Sequence, residues 1–496
     1  MKQLIIKTLK KIHLYNAAKV VYDCLRHRKW LFGQKRRRRL FRRNFASFSE
    51  NAARMKVYPG CVIVTGLLCT PHKPTLPAFL AQLQQCLHKT EIILLDEWNG
   101  PASACPFLRL MLPRSTPHHY DPYLTFSLTA GQEELLRRKE FLSDSAAVLC
   151  AQYRSMTDSY AKTLVCSVYE LYSSVIDCWK PACVVVWNSF SPLHEVCVQA
   201  CREKNVPLLF MEFGVLPGTF ALELTGEMGH SSVAVNRRSF LKLPIEQPEL
   251  EHAQAVLDFL RNSGLNRYVQ SRDARAETKL RSLLAPRRPV VLFAGQNDFD
   301  SGMVPYTAES ADFHSPVFTS SLAAVEFLAD LAEKNGWNFI FKPHPAMAAP
   351  YKGRHFAPNT IYIEQFDLNA LIDLADAVVT IASQTAYIAL LRERPVVMLG
   401  YTQLRGKGCS YEAFSKDDIE AKIKTAIQQG QTEEQKEHFV RHTAQLLKYY
   451  LFDDLSERPL RYGRTLDHVS PDSKTIPDFL RSVEFTKGRN DALSGG

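Results

Sequence analysis

Short apolar runs alternate with amphipathic segments along most of the chain. The apolar runs predict strands at 61–66, 91–96, 182–188, 207–212, 289–296, 338–342, 360–363, 378–382 and 395–400. Segments with helical periodicity occur at 76–87, 131–141, 146–177, 191–204, 246–286, 317–335, 386–392, 416–429 and 433–450. Strands that are apolar throughout are typical of parallel sheets covered by helices on both faces. The pattern therefore predicts an α/β protein with two doubly wound, Rossmann-like domains that face a cleft.

The predicted domain boundaries follow this pattern. We expect a basic leader at 1–50 and a first Rossmann-like domain at 51–270. A second Rossmann-like domain is expected at 271–445, and a C-terminal helix with a polar tail at 446–496.

Charge is concentrated at the start of the chain. Residues 1–43 contain fifteen Lys or Arg and one acidic residue, whereas the whole chain carries a net charge of +10, so the remainder is mildly acidic. Residues 3–25 have helical spacing, and the aromatic residues Trp30, Phe32 and Phe41 interrupt the basic run. Such a segment favours binding to an anionic inner-membrane surface, and a solvated tail is the alternative. Nucleic acid is not expected as a partner, because the body lacks a basic groove with interleaved aromatics.

Several classes of protein are excluded by composition. No apolar run reaches the length of a transmembrane helix, and no small-residue cleavage site follows the first residues, so a signal peptide is not expected. The twelve Cys include no C-x-x-C pair, which indicates a reduced protein without a zinc site. We therefore expect a cytoplasmic protein that is peripheral at the inner membrane.

Polar residues follow three predicted strands between 338 and 400. His344 lies between two prolines after the first of them, Glu364 follows the second, and Ser383, Gln384 and Thr385 follow the third. Because ligands bind outside the carboxyl ends of parallel strands, these side chains are expected to converge on one crevice. The sequence has neither a G-x-x-x-x-G-K-[ST] loop nor a G-x-G-x-x-G loop after a strand, so a P-loop and an NAD site are not expected.

Each of these residues has a structural alternative. His344 beside Lys342 suits a hydrogen bond or proton donated to a phosphate, or it fills a turn. Ser383 either caps a helix or lines an anion site at its amino end. Glu364 either accepts the hydroxyls of a ribose or is an exposed surface carboxylate. Asp298 and Asp300 form an Asp-x-Asp that we interpret as turn residues rather than metal ligands.

Two carboxylates accompany a Gly-rich segment in the first half. Glu212 ends the strand at 207–212, and Glu223 follows the loop that contains Gly214 and Gly218. Either carboxylate is a candidate nucleophile or base facing the cleft, and Glu223 is preferred. The alternative for both is a buried carboxylate that braces the loop.

Together these residues resemble bacterial capsule polysaccharide glycosyltransferases, in particular the β-Kdo transferases (Kdo is 3-deoxy-D-manno-octulosonic acid). The matching segments are Glu212 to Thr219, Val291 to Gln296, Lys342-Pro343-His344-Pro345, Glu364, Ser383-Gln384-Thr385 and Arg394-Pro395-Val396. The resemblance covers residues 180–400. The chain is also similar, more distantly, to other CMP-sugar transferases of the GT-B fold.

The resemblance implies a function and a set of contacts. It implies transfer of Kdo from CMP-Kdo to a glycan or glycolipid acceptor in capsule or lipopolysaccharide synthesis, with retention and without a metal or other cofactor. The first Rossmann-like domain would hold the acceptor and the second the nucleotide sugar. The residues implied to contact the donor are Gln296, Lys342, His344, Pro345, Glu364, Ser383, Gln384 and Thr385. The catalytic carboxylate would be Glu223, where the family has an Asp, or Glu212, with His344 at the leaving group.

Three other functions stay open at this point. One is a GT-B transferase with another donor, such as a sialyltransferase or an enzyme that uses UDP- or GDP-sugars. The second is a non-catalytic sugar-nucleotide-binding subunit held at the membrane by its leader. The third, a nucleic-acid-binding protein, depends wholly on the basic leader.

Overall fold

A computed structural model gives the structure of the chain. It describes residues 33–57, 59–66, 75–87, 90–96, 107–113, 120–265, 274–347, 351, 354–466 and 476–483. The helix predicted at 3–25 lies outside these residues.

Within the described residues, thirteen strands form two sheets. The strands of the first sheet are β1 (Val62–Gly66), β2 (Ile92–Asp96), β3 (Leu108–Met111), β4 (Cys183–Trp187), β5 (Leu208–Phe213), β6 (Thr219–Glu223) and β13 (Leu451–Asp453). Those of the second are β7 (Val290–Ala294), β8 (Asn338–Lys342), β9 (Thr360–Tyr362), β10 (Ala377–Thr380), β11 (Val396–Met398) and β12 (Tyr411–Glu412).

The helices separate most of these strands. Those before the second sheet are α1 (Gln34–Arg54), α2 (Leu76–Cys86), α3 (Ala130–Arg138), α4 (Glu140–Gln152), α5 (Asp158–Trp179), α6 (Pro192–Glu203), α7 (Ser232–Val235), α8 (Arg237–Leu241), α9 (Gln247–Ser263) and α10 (Ala274–Leu283). Those after its first strand are α11 (Ala308–Phe313), α12 (Ser321–Asn335), α13 (Leu368–Leu374), α14 (Thr385–Leu391), α15 (Lys416–Gln429), α16 (Glu433–Tyr449) and α17 (Ile476–Val483).

Both sheets have the order of a doubly wound fold. The first runs β13-β6-β5-β4-β1-β2-β3; β1 to β5 are parallel, and β6 is antiparallel to both of its neighbours, β5 and β13. The second runs β12-β11-β10-β7-β8-β9 and is parallel throughout. We call the two sheets with their helices the first and second lobes. The predicted fold class, two Rossmann-like doubly wound units, is confirmed.

Alternate residues of the central strands bury into opposite layers, as period-two side chains must. In the first sheet, Ile63 packs under one helical layer while Val64 packs under the other. In the second sheet, Leu292 and Phe293 divide in the same way. Both sheets are therefore covered on both faces, which explains why the centres of their strands are apolar.

The chain crosses between the lobes twice. After β6 it runs through α7, α8 and α9, and α9 packs against α16 of the second lobe in a shared core. After α16 the chain returns, and β13 pairs antiparallel with β6, where Phe452 lies opposite Phe220. The last strand of the chain thus belongs to the first lobe.

Two segments predicted as single helices are each two helices. The segment at 146–177 is α4 and α5, separated at residues 153–157, where Thr157 caps the second helix. The segment at 246–286 contains α9, which ends at Ser263 before Gly264, and α10. Further elements that were not predicted from the sequence include β3, β6 within the Gly-rich segment, and α11.

The described part of the basic segment is a helix docked on the first lobe. Phe41 of α1 is 8% exposed and packs against Phe126 and Tyr160 with ring centroids 5.0 and 5.8 Å away. Trp179 donates a hydrogen bond from Nε1 to the carbonyl of Ala52 at 3.0 Å. Phe41 is therefore a core residue and not one of the membrane-facing aromatics that the sequence predicted. None of the described helices combines the length and apolarity needed to cross a bilayer.

Candidate functional site

The predicted site residues of the second lobe lie at the carboxyl edge of its sheet. His344 follows β8, Glu364 follows β9 and Ser383 follows β10. The central strand β7 lies between β8 and β10 and leads into Gln296. All four strands run in the same direction. The polar residues that follow them, which we call the strand exits, therefore share one edge of the sheet, as the sequence predicted.

Gly295 brings the exits of β7 and β8 together. A Cβ at this position would lie 3.3 Å from the Cα of Pro343 and 3.5 Å from the backbone nitrogen of His344. The Gly295 N–H also donates to the Lys342 carbonyl at 2.9 Å. His344 therefore stands directly beside the end of the central strand.

Gln296 joins the same point to the exit of β10. Its side chain is 5% exposed, its Oε1 accepts a hydrogen bond from the N–H of Ala382 at 2.8 Å, and its Nε2 donates to Ser301 Oγ at 3.0 Å. The next residue after Ala382 is Ser383. The segments that carry His344 and Ser383 therefore lie on either side of the end of β7, next to Gly295 and Gln296 respectively.

Hydrogen bonding and burial define the state of His344. Its Nδ1 accepts a hydrogen bond from the N–H of Ala346 at 3.2 Å, so the ring proton lies on Nε2. Burial, followed by the nearby charge of Lys342, lowers the pKa of His344 to about 4. The imidazole is therefore neutral near pH 7 and offers one N–H donor.

Lys342 supplies a buried cation to this edge. Its side chain is 5% exposed, and burial lowers its pKa, with the charge of Asp367 acting in the opposite direction. Pro345 is exposed and begins a 3₁₀ turn, Pro345–Met347. Glu364 is partly buried and accepts a hydrogen bond from the Tyr362 hydroxyl at 3.0 Å.

The Ser-Gln-Thr segment opens α14, a helix of seven residues. Ser383 Oγ accepts from the N–H of Thr385 at 3.2 Å and donates to Thr385 Oγ1 at 3.0 Å. The N-cap residue of α14 is Gln384, whose side chain makes no capping bond, so Ser383 is not the N-cap but bonds to the first helical N–H from one residue earlier. Gln384 Oε1 is buried and has no hydrogen-bond partner among the described residues.

Glu223 is enclosed in the first lobe. It is 2% exposed; its Oε1 accepts from the N–H and hydroxyl of Ser232 at 2.9 and 3.0 Å, and its Oε2 accepts from Thr225 Oγ1 at 3.2 Å. Burial raises the pKa of Glu223 to about 8. This is the arrangement expected of a carboxylate that braces the Gly-rich segment.

Glu212 is the more accessible of the two predicted carboxylates. It lies on β5 opposite Ala221 of β6 and is partly exposed. Burial, then the charge of Glu223 and then that of Glu212 raise the pKa of Tyr450. The charge of Glu212 also contributes, after burial, to the raised pKa of Glu227. Glu212, Glu223 and Tyr450 are thus neighbours, and Tyr450 lies where the chain crosses back to the first lobe.

Sequence reasoning missed Glu227 and Arg464. Glu227 is 2% exposed, and its carboxylate accepts from the backbone N–H groups of Asn188 and Ser189 at 3.0 and 2.6 Å. Arg464 is partly buried and interacts with the charge of Glu223, and desolvation lowers its pKa to about 9. Glu227 could have been found from the sequence, because it is a further acidic residue of the Gly-rich segment. Arg464 lies far along the chain, and only the pairing of β13 with β6 places it near Glu223.

Asp298 has a structural role. Its carboxylate accepts from both the N–H and the hydroxyl of Ser321 at the start of α12, and burial raises its pKa. Asp300, two residues on, has a raised pKa because it is buried. Within the part of the chain that the structure describes, no group of three or more His, Cys, Asp or Glu is placed to hold a metal ion.

Known structures show distant similarity of fold. KpsC of Thermosulfurimonas dismutans, a β-Kdo 2,7 transferase, aligns with 57% of this chain and 82% of its own at 17% identity, with a TM-score of 0.36. The UDP-GlcNAc 2-epimerase of Neisseria meningitidis aligns with 76% of this chain and 94% of its own at 12% identity, with a TM-score of 0.34. The glycosyltransferase SnogD of Streptomyces nogalater aligns with 79% and 95% at 12% identity, with a TM-score of 0.29.

No curated protein matches the chain. A family profile does match it, and the matched residues include the second sheet with every predicted donor contact. The resemblance predicted from the sequence is confirmed there: residues 250–429 match the family described as capsule polysaccharide biosynthesis protein.

Proposed function

We propose that the protein is a glycosyltransferase that moves Kdo from CMP-Kdo to a glycan or glycolipid acceptor during capsule or lipopolysaccharide synthesis. The family match over residues 250–429 carries this proposal. It contains the whole carboxyl edge on which His344, Gln296 and Ser383 meet. Nucleotide ligands bind at such an edge in open α/β sheets.

The phosphate of CMP would contact three kinds of donor. Lys342 provides a buried positive charge, His344 provides Nε2–H, and the segment from Ser383 to Thr385 provides hydroxyl groups. Glu364 would accept hydrogen bonds from the ribose hydroxyls, and Pro345 would lie along the cytosine. Since protein donors meet the phosphate charge, the proposed reaction needs no metal ion.

His344 would act by hydrogen bonding. A neutral imidazole that bears its proton on Nε2 is a poor acid but a good hydrogen-bond donor. As the bond between the anomeric carbon and the phosphate oxygen breaks, negative charge grows on that oxygen. A fixed donor stabilises this charge more in the transition state than in the ground state.

The proposed mechanism is a double displacement with retention. A carboxylate attacks the anomeric carbon while CMP leaves, and the acceptor oxygen then displaces the carboxylate as its proton passes to solvent or a base. The transition states of both displacement steps are oxocarbenium-like, as in glycoside hydrolysis. Of the two candidates, Glu212 is the more accessible, because it is partly exposed whereas Glu223 is 2% exposed.

We also propose that α1 holds the protein at an anionic inner-membrane surface, on the cytoplasmic side. Its apolar side packs on the first lobe, which leaves an exposed basic face formed by Lys35, Arg36, Arg39, Arg42 and Arg43. Cations near such a surface contribute about 1 kcal/mol each. Attraction through this face would be electrostatic, since Phe41 and Phe48 are already buried.

The test is release of nucleotide from a panel of CMP-, UDP- and GDP-sugars. We expect CMP release from CMP-Kdo above the uncatalysed rate, and a larger rate with a glycan acceptor. Release from CMP-sialic acid, or from a UDP- or GDP-sugar, would replace the proposed donor. Tight binding of CMP without any release would identify a non-catalytic subunit instead.

A further inference from the structure

A cavity of about 300 Å³ lies at the junction of the two lobes. Its walls come from α4 and α6 of the first lobe, from the turn at 225–230, and from the loop at 302–314 of the second lobe. None of the proposed donor contacts lines it. It is therefore separate from the carboxyl edge described above.

His314 presents an unused nitrogen in the wall of this cavity. It is 2% exposed, and its Nδ1 has no hydrogen-bond partner among the described residues. Its backbone is held on both sides, because its N–H donates to Ser310 at 2.9 Å and its carbonyl accepts from Tyr401 at 2.7 Å. A buried polar atom without a partner is unusual in proteins and points to a ligand.

Neighbouring groups hold the His314 ring in place. The ring of Phe190 meets it edge-on at 5.2 Å, and the ring of His230 lies 5.1 Å away. A Cβ at Gly302 would come within 2.6 Å of His314 Nε2, so only glycine leaves room for the imidazole. The ring is thus fixed before any ligand arrives.

The two imidazoles that line the cavity are neutral near pH 7. Burial lowers the pKa of His314 to about 3 and also lowers that of His230. Burial, followed by the charge of Glu212, raises the pKa of Glu227 to about 8, and burial raises that of Glu195. Charged groups of opposite sign, Arg202 and Glu309, are exposed at the rim.

We propose that this cavity binds a neutral sugar residue of the acceptor, with a hydroxyl group hydrogen-bonded to His314. A sugar hydroxyl both donates and accepts, which matches neutral imidazoles and carboxylic acids. The Phe190 ring offers an apolar surface to the C–H groups of a pyranose. The volume lies at the lower end of the range of about 300–1000 Å³ for small-molecule sites. An anionic nucleotide suits it less, since the acidic residues Asp144, Glu195 and Glu309 line the cavity and Arg202 is the one Arg or Lys among the described residues that line it.

This inference deepens the proposed function, because it assigns the acceptor to the site between the lobes. The test is ligand-observed NMR with the methyl glycosides of glucose, galactose and N-acetylglucosamine, with glucuronic acid as the charged comparison. We expect at least one methyl glycoside to bind with millimolar affinity and more tightly than glucuronic acid. Binding should weaken by about tenfold or more in His314→Phe, which keeps an aromatic ring but loses both nitrogens.

Two further variants make the result decisive. His355→Phe, at an exposed position outside the cavity, should bind like the wild type. Phe190→Leu should also weaken binding, and it serves if His314→Phe does not fold. The proposal is overturned if no glycoside binds the wild type, or if binding survives both cavity substitutions. CMP-induced thermal stabilisation, measured on the same variants, should not change; its absence in the wild type would count against the transferase and not against the cavity.

Discussion

Gln296 Oε1 accepts a hydrogen bond from the N–H of Ala382 at 2.8 Å and so ties the exit of β7 to the exit of β10. A single side chain thereby sets the position of Ser383 relative to His344. Both groups are proposed to contact the same phosphate. Loss of this bond is therefore expected to disturb the phosphate site.

Gln296→Ala is expected to destabilise the protein and to weaken CMP binding. The substitution leaves the buried Ala382 N–H without a partner, which typically costs about 1–3 kcal/mol. Urea unfolding measures the stability, and calorimetric titration with CMP measures the affinity. Gln365→Ala, at an exposed position, is the matched control. A loss of stability below about 0.5 kcal/mol would show that the bond does not position this segment.

His344→Ala is expected to slow CMP release from CMP-Kdo by about 10²-fold or more, the scale of a lost transition-state hydrogen bond. Because the pKa of His344 is lowered to about 4, the ring stays neutral from pH 6 to pH 8. The ratio of wild-type to variant rates should therefore be constant over that range. A ratio that grows roughly tenfold per unit as pH falls would mean that the imidazolium is the active form.

Glu212→Gln is expected to abolish a covalent Kdo adduct, whereas Glu223→Gln is expected to retain it. Glu223 is occupied by Ser232 and Thr225, and glutamine preserves an oxygen toward Ser232. Intact-mass spectrometry after incubation with CMP-Kdo alone detects the adduct. If the adduct depends on Glu223 and survives at Glu212→Gln, the buried carboxylate is the nucleophile.

Glu227 is expected to make the protein less stable as pH rises. Its pKa in the folded state is about 8, above the ordinary value of 4.5, so the folded state binds more protons than the unfolded state between these values. The stabilisation is complete below about pH 4.5 and is lost as pH rises through about 8, with a slope of up to about 1.4 kcal/mol per unit.

The measurement is the free energy of unfolding of wild type and Glu227→Gln at several pH values from 5 to 8. The variant should show a flatter dependence than the wild type over this range, whatever its overall stability. Parallel curves for the two proteins would mean that Glu227 keeps an ordinary pKa.

Replacement of the basic face of α1 by glutamine is expected to abolish sedimentation with anionic vesicles. Deleting residues 1–43 is not a clean test, because it removes the core residue Phe41. Better variants delete residues 1–32, or substitute the five cations of the basic face. The matched control substitutes five exposed cations of the second-lobe side, Arg275, Lys279, Arg281, Arg287 and Arg288. Vesicle binding that resists both the deletion and the basic-face substitution would place the membrane contact elsewhere.

The central strands could be predicted from the sequence because burial on both faces makes them apolar throughout. The runs that became β1, β4, β7, β8 and β10 are apolar at their centres, and their few polar residues lie at or next to a strand end. Polar residues at strand exits, such as His344 and Ser383, were also predictable, since a parallel sheet brings such exits to one edge.

The strands at the margin of the first sheet were not predictable in this way. β3 is partly exposed, so its pattern does not stand out from a loop. β6 lies within a Gly-rich segment, and its pairing with β13 joins residues more than 200 positions apart. Nothing local in the sequence encodes that pairing.

The sequence by itself determined the two doubly wound units and the polar edge of the second sheet, because local apolar periodicity and strand direction suffice for both. Only the tertiary structure decided which side chains lie together: Glu223 with Ser232 and near Arg464, Phe41 of α1 with Phe126 and Tyr160, and His314 in a wall between the lobes. Those placements depend on contacts between distant segments, and burial there changes both the charge state and the accessibility of each group.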